Sequence, residues 1–126
     1  MSRIRITVGG TSLTGEVYDT PTGRTVLENL PIESTARTWG EEVYFSVPFT
    51  VEEEPDARAV VECGELAFWE GGQAIAIGFG PTPISQGTEI RLAAPCNIWG
   101  RCLDSARALQ GARDGDTVQV TLAEEG

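Results

Sequence analysis

The sequence predicts a mainly β domain, either a closed barrel or a sandwich, and three observations predict it. About eight short segments alternate apolar and polar residues or are rich in β-formers, and Gly- or Pro-centred turn signals separate them. Only two short helical stretches interrupt the series, too few for a βαβ fold. Fifteen glycines in 126 residues supply corners. The length fits a single domain, residues 1–126, large enough to bury a core without covalent staples. There is no internal repeat and no low-complexity stretch.

Residues 3–8 (Arg-Ile-Arg-Ile-Thr-Val) alternate so that Ile4, Ile6 and Val8 face inward, and Gly9-Gly10 turns the chain into a return strand over 11–18. Pro21 precedes a short helix whose Val26, Leu27 and Leu30 share one face, with Pro31 ending it. Residues 34–39 and 42–47 read as a strand pair around Gly40-Glu41, with Val43, Phe45 and Val47 as the inward series. Glu52-Glu53-Glu54-Pro55-Asp56 reads as a solvated acidic loop, with too few alternating oxygen ligands for calcium. Strands follow over 60–63, 66–69 and 74–79, broken by Gly64-Glu65 and Gly71-Gly72 and closed by Pro81-Thr82-Pro83. Residues 97–103 form another strand, Asp104 is placed to cap a helix over 105–110, and Asp114-Gly115 turns into a last strand over 117–122.

Charge and composition exclude several function classes. Nine Arg and no Lys stand against 19 acidic residues, for a net charge of −10. Such a chain repels phosphates, so neither nucleic acid nor an anionic membrane surface is expected as a partner. No histidine is present, which removes Ser–His and Cys–His catalysis and His-ligated metals. Without lysine there is no Schiff base. Cys63, Cys96 and Cys102 are odd in number and lie apart, which fits buried thiols in a reducing compartment. The opening Met-Ser-Arg-Ile-Arg-Ile lacks the apolar stretch of a signal peptide, and no apolar run is long enough to span a membrane. The expectation is a cytoplasmic protein with no cofactor and no metal.

Four segments carry a resemblance over nearly the whole chain: Thr38-Trp39-Gly40-Glu41-Glu42-Val43-Tyr44-Phe45, Gly64-Glu65-Leu66-Ala67-Phe68-Trp69, Ala76-Ile77-Gly78-Phe79-Gly80-Pro81-Thr82-Pro83 and Asn97-Ile98-Trp99-Gly100. In these words and in the order of elements the chain resembles the cyclophilin fold, and more closely the small prokaryotic cyclophilin-like proteins of unassigned function. The resemblance implies a closed eight-stranded barrel with two short helices at its ends. True cyclophilins are prolyl isomerases that hold proline in an aromatic pocket on the barrel's outer face and use an Arg on the imide nitrogen. Their task is to lower a rotation barrier of roughly 18–20 kcal/mol, which requires no histidine nucleophile and no cofactor.

At the site itself the sequence departs from the isomerase pattern. Arg37 falls at or one residue from the catalytic Arg, and Glu42 or Glu41 replaces a pocket Phe. Ala76 replaces a second Phe, Ile84 takes the place of a loop aromatic, and Cys96 stands about where the family has His. A carboxylate makes a poor floor for a proline ring, because removing it from water costs several kcal/mol unless it is paired.

Strand alternation places an outer face independently of the family. With Val43, Phe45 and Val47 inward, Glu42, Tyr44 and Ser46 point out; Arg37 and Trp39 share a face. Ile75, Ile77 and Phe79 form the bulky series of their strand, which leaves Ala74, Ala76 and Gly78 as a smooth floor. Either this floor is an open groove with aromatic walls, or Trp39 lies over it while Arg37 pairs with Glu42. Thr82, between two prolines, reads as a rigid corner, Asn97 as a residue that satisfies a loop backbone, and Trp69 and Trp99 as core or wall aromatics. The candidate binding set is Trp39, Glu42, Tyr44, Ala76, Phe79, Thr82, Ile84, Cys96 and Asn97, with Arg37 the candidate catalytic group. The leading functional expectation is a non-catalytic binding domain for a small carboxylate or a proline-containing peptide. The alternatives are an atypical prolyl isomerase and a structural subunit whose aromatic face is an interface.

Overall fold

The computed structural model describes residues 2–123. Ten strands build the fold: β1 (Ser2–Val8), β2 (Thr11–Val17), β3 (Ile32–Thr35), β4 (Arg37–Thr38), β5 (Glu42–Ser46), β6 (Arg58–Val61), β7 (Glu65–Trp69), β8 (Ala74–Gly78), β9 (Ile90–Cys102) and β10 (Thr117–Leu122). Helix α1 (Pro21–Glu28) follows β2, and a 3₁₀ helix (Ala106–Gly111) follows β9. Nine strands run round the wall in the order β3-β10-β1-β2-β9-β7-β8-β5-β4, and β6 pairs with β9 off this path. The barrel is nearly closed, with nine wall strands rather than the eight expected. The extra strand arises because the run read as one strand over 34–39 divides at Ala36: β3 pairs with β10, and β4 pairs with β5. The seam between β3 and β5 is bridged by Ser34 Oγ, which donates to the carbonyl of Ser46 at 2.7 Å. No described helix is long and apolar enough to cross a membrane.

The inward residues are those that the alternation selects. Ile4, Ile6, Val8, Val43, Phe45, Val47, Ile75, Ile77, Phe79 and Trp99 all belong to one buried cluster. Both helices seal it, α1 through Val26 and the 3₁₀ helix through Ala106 and Leu109. α1 starts at Pro21 because Thr20 Oγ1 accepts from the Gly23 N–H at 3.0 Å and proline's fixed φ suits the first helical position. It ends at Glu28, two residues before the cis Leu30–Pro31 bond. Asp104 does not cap the second helix. Its Oδ2 instead accepts from the Thr14 N–H at 2.8 Å, tying the end of β9 to β2, and the 3₁₀ helix starts without a side-chain cap.

The largest departure from expectation is β9, which begins at Ile90 rather than near Asn97. Its first half crosses the outer face and pairs with β6, while its second half pairs with β7 and β2. Pro95 is tolerated because the β6–β9 register jumps there: Arg58 pairs with Cys96 and Val60 with Arg91, so the intervening residues bulge out of the ladder. The floor of Ala74, Ala76 and Gly78 is therefore roofed rather than bare. Ala76 joins a second buried cluster with Val61, Ala67, Ile90, Leu92 and Cys96, with Tyr44, Trp69 and Ile98 packed alongside.

Candidate functional site

Where the roof stops, a pocket of about 190 Å³ remains, lined by Trp39, Glu42, Tyr44, Trp69, Ala76, Leu92, Ala93 and Cys96. Strand register explains the assembly. Tyr44 lies opposite Ala76 and Glu42 opposite Gly78 between β5 and β8; Ala67 and Trp69 lie opposite Ala76 and Ala74 between β7 and β8. Directly opposed residues share a face, so one side of these three neighbouring strands presents small residues in the middle and rings at the margins. Leu92, Ala93 and Cys96 come down on this surface from the first half of β9.

Two tight turns fix the tryptophans. Trp39 sits at the β4–β5 hairpin, where its N–H donates to the Glu42 carbonyl at 3.0 Å. Gly40 follows with φ +60°, and a Cβ there would stand 2.8 Å from Thr82 Cα, so glycine is required both by conformation and by contact. The Glu41 N–H donates to the Pro81 carbonyl and the Phe79 N–H to the Glu41 carbonyl, which stitches this hairpin to the Pro81–Pro83 corner. On the other side, Trp69 lies against the Gly71-Gly72 turn. A Cβ on Gly72 would stand 2.3 Å from Trp69 Cε3. Gly72→Ala is expected to displace that ring and to cost about 1–2 kcal/mol, as overpacking does. Tryptophan fluorescence and a urea titration check both parts.

Glu42 dominates the electrostatics. It is 6% exposed, and its Oε1 is buried with no hydrogen-bond partner in the protein. Burial raises its carboxyl from the ordinary 4.5 to about 7. Among the described residues Arg37 forms no ion pair, so the Arg37–Glu42 pair of the filled-groove alternative is not made. Cys96 is buried too, and its Sγ donates to the Ala94 carbonyl at 3.3 Å. Burial, with the Glu42 and Glu53 carboxylates adding to it, pushes its thiol up to about 12. This is a neutral pocket-wall sulfur rather than a nucleophile.

The structure thus brings together Trp39, Glu42, Tyr44, Ala76 and Cys96 from the candidate set and places the others elsewhere. Arg37 lies opposite Tyr44 in register but is exposed and outside the lining. Phe79 is 4% exposed in the barrel interior, and Ile84 is a solvent-facing loop residue at 47%. Thr82 is a corner: its N–H donates to Ser85 Oγ and its hydroxyl to the Arg91 carbonyl. Asn97 does satisfy a loop backbone. Its Oδ1 accepts from the Glu54 N–H at 2.7 Å, and its Nδ2 donates to the Glu52 carbonyl at 2.8 Å and to Thr22 Oγ1 at 2.9 Å. Thr22 donates in turn through its N–H and hydroxyl to the Glu54 carboxylate, which thereby accepts a first-turn amide of α1. The acidic loop is accordingly clamped at Glu54 rather than wholly solvated.

Trp69, Leu92 and Ala93 are pocket residues outside the candidate set; Trp69 reads from sequence only as a core or wall aromatic. For Trp69 the signal was present: with Leu66 and Phe68 inward, alternation puts Ala67 and Trp69 on the outer face beside Ala74 and Ala76. Leu92 and Ala93 carried no such signal, since Pro95 masks their strand.

Comparison with known proteins agrees with the fold. The solution structure of the hypothetical protein AF2241 from Archaeoglobus fulgidus is similar, with a TM-score of 0.82 and 40% sequence identity over 97% of this chain and 95% of that one. A search of curated proteins finds no match. The family model described as cyclophilin-like matches residues 2–121, so the chain belongs to the cyclophilin-like family.

Proposed function

We propose that this protein is a binding domain that takes a small ligand, or one side chain of a peptide, in the outer-face pocket of its barrel without acting on it chemically. The observation that carries the reading is Glu42: a buried carboxyl with an unpartnered oxygen, facing a pocket walled by Trp39, Tyr44 and Trp69. Leaving a buried polar atom unpaired costs about 1–3 kcal/mol, and a ligand that supplies a donor or a positive charge beside it offsets that cost. A largely apolar concavity with one convergent polar group is also the usual composition of a ligand site. The volume, about 190 Å³, falls below the roughly 300–1,000 Å³ of drug-sized sites and suits a single small group. The lining offers one carboxyl, the Tyr44 hydroxyl and one un-ionised thiol, with neither a cationic donor nor an activated nucleophile, which favours binding over catalysis.

The test is two-dimensional ¹H–¹⁵N NMR of the protein against a panel of small amines, carboxylates, neutral heterocycles and X-Pro dipeptides. At least one class is expected to shift the indole N–H signals of Trp39 and Trp69 saturably. Trp39→Ala is expected to abolish the shifts while changing stability by no more than about 1 kcal/mol, because the side chain stands at a sheet margin. A panel that leaves both indoles unmoved overturns the proposal. Accelerated cis–trans exchange of the X-Pro peptides would replace it with isomerase activity.

A further inference from the structure

We infer that the group held in this pocket is an organic cation, a methylated ammonium seated against Glu42 between the rings of Trp39, Tyr44 and Trp69. The inference rests on the pocket reading above and specifies its ligand. Three aromatic side chains and one carboxyl line the space, and no Arg does. Aromatic faces attract cations through their quadrupoles, most strongly when water is excluded, and a buried carboxylate adds the opposite charge. A carboxylate ligand would meet Glu42 with no cation to balance either charge, since Arg37 lies outside the lining.

The kind of cation follows from the acceptor count. A primary ammonium brings three N–H donors and a guanidinium five, whereas the polar side chains here are Glu42, the Tyr44 hydroxyl and the Cys96 thiol. Burying either of those cations would leave donors unpaired, at a cost that an N-methylated ammonium avoids by presenting methyl groups to the rings. A bare metal ion is a poorer match, because calcium and magnesium require several oxygen ligands. Among the described residues no group of three or more His, Cys, Asp or Glu side chains converges anywhere. The net charge of −10 draws cations towards the protein at long range.

Ligand affinity should then follow the ionisation of Glu42. The other titratable groups of the lining are Tyr44 on β5 and Cys96 on β9, and the Glu53 carboxylate acts on Cys96 from the acidic loop; β8 contributes only Ala74, Ile75, Ala76, Ile77 and Gly78. Nearby on the chain, Glu41 and Arg37 flank the hairpin outside the lining, and Arg91 on β9 is paired with Glu89 at 2.7 Å. With the Glu42 carboxyl at about 7, most of it is protonated at pH 6 and most is ionised at pH 8. Cation affinity is therefore expected to be about tenfold weaker at pH 6.

The experiment is an NMR titration with choline, with its neutral carbon isostere 3,3-dimethylbutan-1-ol, with sodium acetate and with N-acetyl-trimethyllysine amide. Choline or the trimethyllysine amide is expected to shift Trp39, Tyr44 and Trp69 and to bind at least tenfold more tightly than the isostere. Glu42→Gln is expected to erase both that preference and the pH dependence. Tighter binding of the lysine derivative assigns the group to a modified protein side chain, and tighter choline binding assigns it to a free small molecule; either supports the shared chemistry. Equal binding of choline and the isostere, or preference for acetate, overturns the cation and leaves the pocket reading standing. If the methylated cations fail while other members of the wider panel bind, the cation alone falls, and if nothing binds, both readings fall.

Discussion

Replacing Asn97 by alanine is expected to destabilise the protein by about 3 kcal/mol, the largest effect expected of any polar side chain here. One amide makes three bonds, to the Glu54 N–H, the Glu52 carbonyl and Thr22 Oγ1, and it is 2% exposed. Truncation leaves those part-buried partners without the amide's bonds, each at roughly 1 kcal/mol. The variant Asn97→Asp separates hydrogen bonding from packing. Asp keeps the acceptor for the Glu54 N–H but loses both donors and puts a second carboxylate beside Glu54. The loss in Asn97→Asp should match or exceed that of the alanine variant at pH 8 and shrink at pH 4, where a protonated Asp regains a donor. Urea denaturation at the two pH values reads this directly. Equal losses at both would mean that Asn97 contributes shape rather than hydrogen bonds.

The second large effect has the opposite sign. Glu42→Gln is expected to stabilise the protein at pH 8 by about 2–3 kcal/mol and to change little at pH 4.5. In the unfolded chain the Glu42 carboxyl ionises near the ordinary 4.5; burial in the folded protein raises it to about 7. The native state therefore holds a proton that the unfolded chain releases. The stabilisation is complete below about 4.5 and is lost as the pH climbs through about 7. At pH 8 the folded protein must carry a buried carboxylate with an unpartnered oxygen, and the neutral amide of glutamine relieves that charge. A gain of the same size at both pH values would show that the benefit comes from packing and not from ionisation.

Much of the fold was readable from alternation and turn signals, because a strand buried on one face has a period of two that few other structures share. Val43, Phe45 and Val47, or Ile75, Ile77 and Phe79, identify their inward face from residue type alone. Two kinds of information were not readable. Pro95 inside the run from Ile90 reads as an interruption, and only the bulge opposite β6 shows why it is not one. Asp104 in front of a helical segment reads as a cap, yet Thr14 from a distant strand competes for its carboxylate and wins. Both depend on partners remote in sequence.

The site divides similarly. Glu42, Tyr44 and Ala76 follow from the parity of two strands, Trp69 from the same rule applied to a third, and Trp39 from the run read over 34–39. That Glu42 lacks a partner depends on where Arg37 points, which a two-residue edge strand leaves to tertiary contacts. The roof of Leu92, Ala93 and Cys96 depends on the long-range crossing of β9.

The partition of apolar residues into two clusters, one inside the barrel and one outside it, bears on how such a protein can diversify. Alternate positions of β5, β7 and β8 serve different masters: one set holds the barrel together, and the other lines the outer-face pocket. Trp39, Tyr44 and Trp69 lie outside the interior cluster, so the exterior can be re-lined while the barrel interior carries the stability through each intermediate. Innovation and robustness are then written on opposite sides of the same strands.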